Sequence, residues 1–498
     1  MNHKPISNRY FIRFFEMLPG VLSWGTLIGC VVFSFLVPVW VAVFIICFDL
    51  YWLIRVAYLA YFLIRSYKKM RRNMEFDWYR KLQKVKGYED IYHLVIVPTY
   101  KEGLDVLRPT FQALVDSNYP EDKLMVVLAV EERDKENGLK IAASVEEEFG
   151  SRFDEFLVTV HPKDIVGETA GKGSNEAWAG KRAKEIIDEK GIPYEDILVS
   201  TLDCDTCVHK EYFPCLSVKF LTTEDRLHAS YQPVPMFFNN IWDSPALMRV
   251  VAMSNTFWML MEQARPERLY TFSSHSMSFK ALVDVGFWQT NVVSEDSRIF
   301  WQNFIRYNGN YRCEPLLIPV YMDTVLADTF WKSIINQYKQ QRRWAWGIEN
   351  VPYIFSNFVG NKSIPLGKKF VHSFRMLEGF HSWATNALMI FILGWLPLIL
   401  GGDAFSTTLL AQNLPFVTQW LMTISMVGMF VSATLNMLML PRRPKKYGKR
   451  RFIMMLLQWL FLPISTIFLG AFPAIDSQTR MMFGRRMGFW VTEKVRKK

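Results

Sequence analysis

The chain has 498 residues, of which 50% are hydrophobic, 15% aromatic and only 21% charged, and its 58 Lys+Arg against 47 Asp+Glu leave a net charge of +11. This composition excludes a disordered chain, a collagen and a small disulfide scaffold, and a mean hydropathy just above zero fits a soluble part joined to a membrane part. The basic surplus is clustered beside apolar runs, so no nucleic-acid partner is expected.

From Leu18 to Ile64 nearly every residue is apolar, with interruptions at Pro38, Asp49 and Arg55. At roughly 1.5 Å per residue the run is too long for one crossing of a core about 30 Å thick. Two helices are predicted, over about 19–37 and 39–64. A cleaved signal peptide needs a shorter apolar core and a small-residue cleavage site, so the N-terminus is expected to stay.

Residues 93–98 (HLVIVP), 124–130 (LMVVLAV), 156–160 (FLVTV) and 197–202 (ILVSTL) read as buried strands, and residues 104–117, 135–149 and 173–189 as amphipathic helices between them. The alternation predicts an α/β sheet with mostly parallel strands and a ligand site beyond their carboxyl ends. Acids gather there. Thr99, Tyr100 and Glu102 follow the first strand, Glu131 and Glu132 the second, and Asp203-Cys204-Asp205 the fourth. Such carboxylates repel unless a cation lies between them. A divalent ion holding a diphosphate suits the place, since Mg2+ or Mn2+ takes few protein carboxylates and completes its shell with phosphate oxygens and water. Read singly, each acid also fits a solvated loop or a helix cap.

Gly171-Lys172-Gly173 before a helix is a candidate phosphate contact without the Walker A pattern, and the absence of GxGxxG disfavours a nicotinamide enzyme. Six cysteines are too few for a disulfide framework, and the lone Cys204-x-x-Cys207 pair reads as buried thiols before it reads as zinc ligands. Ser294-Glu295-Asp296 opens an amphipathic stretch, as acids at a helix N-terminus commonly do. In Gln340-Gln341-Arg342-Arg343-Trp344, the Arg-Trp pair alone would be an interfacial anchor.

Apolar runs return at about 380–401, 414–440 and 452–475. Arg65, Lys68, Lys69, Arg71 and Arg72 follow the first pair of helices and Arg442, Arg443, Lys445, Lys446, Lys449, Arg450 and Arg451 follow the fourth, whereas residues 401–419 hold no Lys or Arg. By the positive-inside rule the basic segments and the whole middle region are cytoplasmic. A full crossing by 452–475 would export a basic tail, so Pro463 and Pro473 are expected to bend that run into a re-entrant hairpin or leave it as an interfacial helix.

Taken together and in this order, these residues resemble the membrane-integrated family 2 glycosyltransferases, the cellulose, chitin, hyaluronan and plant mannan synthases. Such proteins carry Asp-x-Asp, Glu-Asp and Gln-x-x-Arg-Trp motifs on a cytoplasmic GT-A domain flanked by transmembrane helices. Asp203/Asp205, Glu295/Asp296 and Gln340/Arg343/Trp344 match them, and Phe489, Val491, Thr492 and Lys494 look like the Phe-x-Val-Thr-x-Lys gating loop of cellulose synthases. The resemblance spans about residues 18–494.

The resemblance implies an α/β GT-A (Rossmann-like) cytoplasmic domain plus an α-helical transmembrane region. The implied division is a transmembrane hairpin at 1–65, the GT-A domain at 66–325, interfacial helices with the QxxRW motif at 326–378, transmembrane or re-entrant helices at 379–475 and a gating-loop-like tail at 476–498. The implied activity is inverting, metal-dependent transfer from a UDP- or GDP-sugar to a growing glycan, at the plasma (inner) membrane and among its lipids. Thr99, Tyr100, Glu102 and Glu131 would meet the nucleoside. Lys172, Arg343, Thr492 and Lys494 would meet the diphosphate, and Asp203 and Asp205 the donor's Mg2+ or Mn2+. Asp296 would be the general base with Glu295 beside it, and Gln340, Trp344, Ser274 and His275 would face the acceptor.

Two departures matter: Glu131-Glu132 stands where the family has Asp-Asp, and the chain stops soon after the gating motif, which counts against cellulose as the product. One alternative is a single transfer to a lipid-linked acceptor. Another is a nucleotide-regulated transporter or channel, disfavoured because Asp49 and Arg55 are nearly alone as charges in the apolar runs and no repeat is present. If the polymer is exported, His381, Trp383, Asn386, Trp420 and Asn436 are candidates to line its path.

Overall fold

The structure is a computed structural model that describes residues 5–490 and residue 496. Its α/β domain is built on an eight-stranded sheet of β1 (Tyr92–Thr99), β2 (Leu124–Glu131), β3 (Glu155–His161), β4 (Ile197–Thr201), β5 (Cys207–Val208), β6 (Ala229–Met236), β7 (Ser276–Ser278) and β8 (Arg312–Tyr321). The strand order is β3-β2-β1-β4-β7-β6-β8-β5. The first four strands are mutually parallel, β7 runs against both β4 and β6, β8 follows β6, and β5 runs against β8. The sheet is therefore mixed and mostly parallel, as the alternation predicts.

β1, β2 and β4 are continuous buried runs because they are covered on both faces, while β3 at the sheet's edge is only partly buried. On one side, Ala177, Ala183 and Ile187 of the helix Lys172–Lys190 pack on Leu94, Ile96, Val127 and Val199. On the other, Phe111 and Leu114 of Leu104–Val115 and Phe213 and Leu216 of Tyr212–Thr222 pack on Val95, Val97, Val126 and Leu128. Register then sets the site. Ile96 pairs with Thr201 while Thr99 pairs with Val130, so the chain leaves β4 just below the end of β1 and carries Asp203 and Asp205 to the same edge.

Among the described residues four helices, Arg9–Leu36, Pro38–Glu75, Leu409–Met439 and Arg450–Met482, are long and apolar enough to cross a membrane, and Leu366–Phe391 with Leu393–Leu400 forms a pair bent by 49° that passes the same test together. Pro38 opens the second helix where its missing N–H is harmless, and the basic residues Arg65 to Arg72 ride on that helix's last turns.

The hairpin expected at 452–475 is not formed, because Arg450–Met482 continues as one helical rod. Pro463 and Pro473 each fall in the first turn of a helical segment, Leu462–Thr466 and Phe472–Met482, and a π-turn at Ile467–Ala471 joins the two. The rod touches the soluble part at both ends. Arg249 donates to Gln458 at 2.6 Å and Trp459 stacks on Phe257, while Asp476 pairs with Arg342 at 2.8 Å.

Candidate functional site

The helix Lys172–Lys190 begins at the edge where β1, β2 and β4 end, and its first residue reaches into a nest of acids. Lys172 Nζ lies 2.8 Å from Asp203, 2.9 and 3.0 Å from the two oxygens of Asp296, and 3.5 Å from Glu176. Asp296 and Glu295 are brought there by the first turn of the helix Glu295–Arg306. Burial works against the ammonium, but Asp203, then Asp296, Glu176 and Glu295, outweigh it and hold Lys172 well above its ordinary pKa.

The same burial acts oppositely on the acids. Glu176, fully buried, is pushed up to about 8 by burial, partly offset by Lys172. Burial, reinforced by Asp296, raises Glu295 well above the usual carboxylate range, and neither of its carboxyl oxygens has a hydrogen-bond partner among the described residues. His275 is held down to about 4 by burial; its Nδ1 lies 2.9 Å from the Phe272 carbonyl and 3.7 Å from Asp296. Burial thus works against the charged forms of Glu176, Glu295 and His275, all packed close to Lys172 and Asp296.

Asp203 also accepts a 2.6 Å hydrogen bond from Ser273. Asp205 is buried and accepts from the Asp323 backbone N–H at 3.0 Å, and Asp323 pairs with Arg496 at 2.9 and 3.1 Å. Ser274 sits at a positive φ of 64° and exchanges a 3.0 Å hydrogen bond with Thr206. At the ends of β1 and β2, Glu102 accepts from the Tyr100 N–H at 2.6 Å and from the Thr99 hydroxyl at 3.1 Å. Glu131 is buried and bound by Arg133, whose guanidinium covers the Tyr100 ring at 4.5 Å.

The helix Phe330–Ala345 carries the QxxRW residues. Arg343 lies over the Phe489 ring at 4.7 Å, and the same ring presses on Gly171, where a Cβ would stand 2.5 Å from Phe489 Cγ. Trp490 is covered by Lys339 at 5.1 Å. The tail therefore returns to the lysine and arginine expected to meet a diphosphate; Val491, Thr492 and Lys494 lie outside the described residues. Trp344 packs beside Phe237 with Ala252 and Met322, and Gln340 accepts from Gln337 at 3.0 Å, within its own helix.

Sequence reasoning missed Glu176, Asp323 and Arg496. Glu176 stands four residues after Lys172 and so on the same helix face, a spacing that could have found it. Asp323 is another acid beyond a strand end, hidden because β8 was not foreseen. Nothing in the sequence joins Arg496 to it. For a divalent ion the donor chemistry is suitable: Asp203 and Asp205 offer the hard carboxylate oxygens Mg2+ and Mn2+ prefer, and Glu176, Glu295 and Asp296 have ligand atoms all within 4.8 Å of one another.

A mostly parallel sheet with acids at its strand ends and long apolar helices attached defines an α/β protein of the GT-A class. The chain belongs to glycosyl transferase family group 2, whose family model matches residues 198–471, and it is a glycosyltransferase. Among solved structures it is similar to the mannosyltransferase PcManGT from Pyrobaculum calidifontis in complex with GDP-Man and Mn2+, at 16% identity and a TM-score of 0.41 over 76% of this chain and 98% of that one. It is also similar to S. aureus TarS 1-349 in complex with UDP-GlcNAc, at 13% identity and a TM-score of 0.36 over 70% of this chain and 91% of that one. No curated protein sequence matches it significantly.

Proposed function

We propose that this glycosyltransferase is an inverting, metal-dependent membrane synthase that extends a polysaccharide from a UDP- or GDP-sugar. The observation that carries the reading is Lys172 bridging Asp203 and Asp296, which sets a candidate diphosphate contact and a candidate base in one buried pocket at the strand ends. The nucleoside lies against Thr99, Tyr100, Glu102 and Glu131. Lys172, Arg343 and, from the tail, Thr492 and Lys494 hold the diphosphate, offsetting the charge it gains on leaving. Asp203 and Asp205 would hold Mg2+ or Mn2+, which when bound supplies further positive charge to that leaving group.

Asp296 is the general base. The acceptor hydroxyl gives its proton to the carboxylate as its oxygen bonds to the anomeric carbon, and the diphosphate leaves from the opposite face, which inverts the configuration. Glu295 and Glu176 are less suited to that role because burial disfavours their charged forms. Ser274, His275, Gln340 and Trp344 position the acceptor. A polymer product is favoured over a single transfer by Phe489, which occupies the gating-loop position and rests on Gly171.

The soluble domain is assigned to the cytoplasm of a plasma (inner) membrane, with the division 1–65, 66–325, 326–378, 379–475 and 476–498. Contacts at both ends of Arg450–Met482 with the soluble part support an interfacial helix and a cytoplasmic C-terminus. In sealed inverted vesicles, exported polymer is expected to resist added hydrolase. The site is tested by Asp296→Asn, which abolishes transfer while nucleotide still binds, and Asp205→Ala, which loses metal-dependent nucleotide binding as well. Near-normal turnover in both variants overturns the assignment.

A further inference from the structure

Lys172, assigned above to the donor's diphosphate, is among the described residues the one cationic side chain hydrogen-bonded to the base. Its ammonium donates to both oxygens of Asp296, at 2.9 and 3.0 Å, from a side chain only 10% exposed. No other cation reaches Asp296 among the described residues: His275 Nδ1 lies 3.7 Å away with burial working against its charged form, and the remaining neighbours, Glu176 and Glu295, are acids with ligand atoms within 4.8 Å. A carboxylate with an ammonium across both oxygens has one lone pair on each engaged and its charge compensated. In that state it is a poor proton acceptor.

The ammonium also has a second place to go. Gly171 precedes Lys172 in the chain, Phe489 rests on Gly171 and Arg343 lies across the Phe489 ring, so a nucleoside diphosphate held between Lys172 and Arg343 brings negative charge to the same ammonium. We propose that Lys172 caps Asp296 until the donor arrives: the diphosphate draws the ammonium away, and only then is the base free to take the acceptor's proton. This rests on the donor reading of the site and deepens it. One side chain thereby ties arrival of the leaving group to release of the base, so a bound acceptor alone is not deprotonated.

The competition has a thermodynamic signature. If the donor must pull Lys172 off Asp296, part of its binding free energy is spent there, and removing the Asp296 charge returns it. UDP and GDP, each with Mn2+, are titrated calorimetrically into the full chain in detergent, as wild type, Asp296→Asn, Lys172→Met and the double variant. Asp296→Asn is expected to bind the nucleotide about tenfold more tightly, the equivalent of one charge-assisted hydrogen bond no longer broken. In the Lys172→Met background the same change is expected to have no effect.

Unchanged or weaker binding by Asp296→Asn overturns the proposal. So does an equal gain with Lys172→Met, which would mean simple relief of repulsion between carboxylate and anion. If neither nucleotide binds the wild-type chain, the donor reading itself falls and the cap loses its trigger; binding without coupling overturns the cap alone. A structure of the wild-type chain with the bound nucleotide gives an answer independent of the variants' folding. Nζ is expected to have left both Asp296 oxygens, and finding it still on them overturns the proposal.

Discussion

Replacing Glu176 by glutamine isolates the electrostatics of the pocket. Glu176 is fully buried one helical turn beyond Lys172, its Oε1 accepts from the Thr201 hydroxyl, and its Oε2 has no hydrogen-bond partner among the described residues. Burial raises it from 4.5 to about 8. Between those two values the folded chain keeps a proton that the unfolded chain has released, so stability falls as pH rises, by roughly 1.4 kcal/mol per pH unit for one proton. The loss is complete above about pH 8. Glu176→Gln has the same shape, retains an oxygen for Thr201 and carries no titrating proton. The variant should therefore gain on the wild type along that slope. Thermal unfolding of both proteins in one detergent, at one scan rate, is compared from about pH 5 to about pH 8. Melting temperatures that lie close at the acid end and separate in favour of the variant toward the alkaline end are expected. A gap that does not change with pH, or that closes as pH rises, would refute the claim that the folded state holds Glu176 protonated.

Gly171→Ala would set a methyl 2.5 Å from Phe489 Cγ, well inside the roughly 3.5 to 4.0 Å that two carbons need, so the ring must move. Trypsin cleavage after Arg485 and Arg486 should then accelerate severalfold, and an unchanged rate would contradict the docking of Phe489 on Gly171. Arg496→Ala removes the two-pronged contact with Asp323 and is expected to raise the donor KM about tenfold with a smaller effect on kcat. An unchanged KM would show that this end of the tail plays no part in donor binding. Glu378→Ala takes from Arg55 its 2.8 Å partner within the apolar helices, where both side chains are about one-fifth exposed, and should lower stability by about 2 kcal/mol, seen as a reduced Tm. No shift would mean that the pair is effectively solvated.

The legible part of this fold was the part built from uninterrupted apolar strands. β1, β2 and β4 lie under helices on both faces, and burial on both faces writes itself as a continuous hydrophobic run. β6 and β8 do not: Pro233, Pro235, Pro315 and Pro319 interrupt them, and prolines ordinarily count against a strand. Both strands are nevertheless paired to each other, with a register shift between Gln232 and Val234. β7, with three residues, is too short to leave a pattern.

Prolines misled once more at 463 and 473. Read as bends, they sit instead at the starts of helical segments within one continuous rod. At the site, Lys172 meets both Asp203 and Asp296, because each of the three stands at the start of a helix or just past the end of a strand on one edge. The buried partners were not visible. A glutamate in an amphipathic helix looks solvated until the fold turns its face inward, and the pairing of Arg496 with Asp323 is purely tertiary.

The central claim, transfer of sugar from a nucleotide donor, is tested most directly by nucleotide release from the purified, detergent-solubilised chain. A panel of UDP- and GDP-sugars is supplied with Mg2+ or Mn2+, and the product is sized. Release with one donor, accompanied by a high-molecular-weight product that a glycan hydrolase degrades, is the predicted result. Release that requires an added lipid acceptor would contradict the polymer, and no release with any donor would contradict the account as a whole.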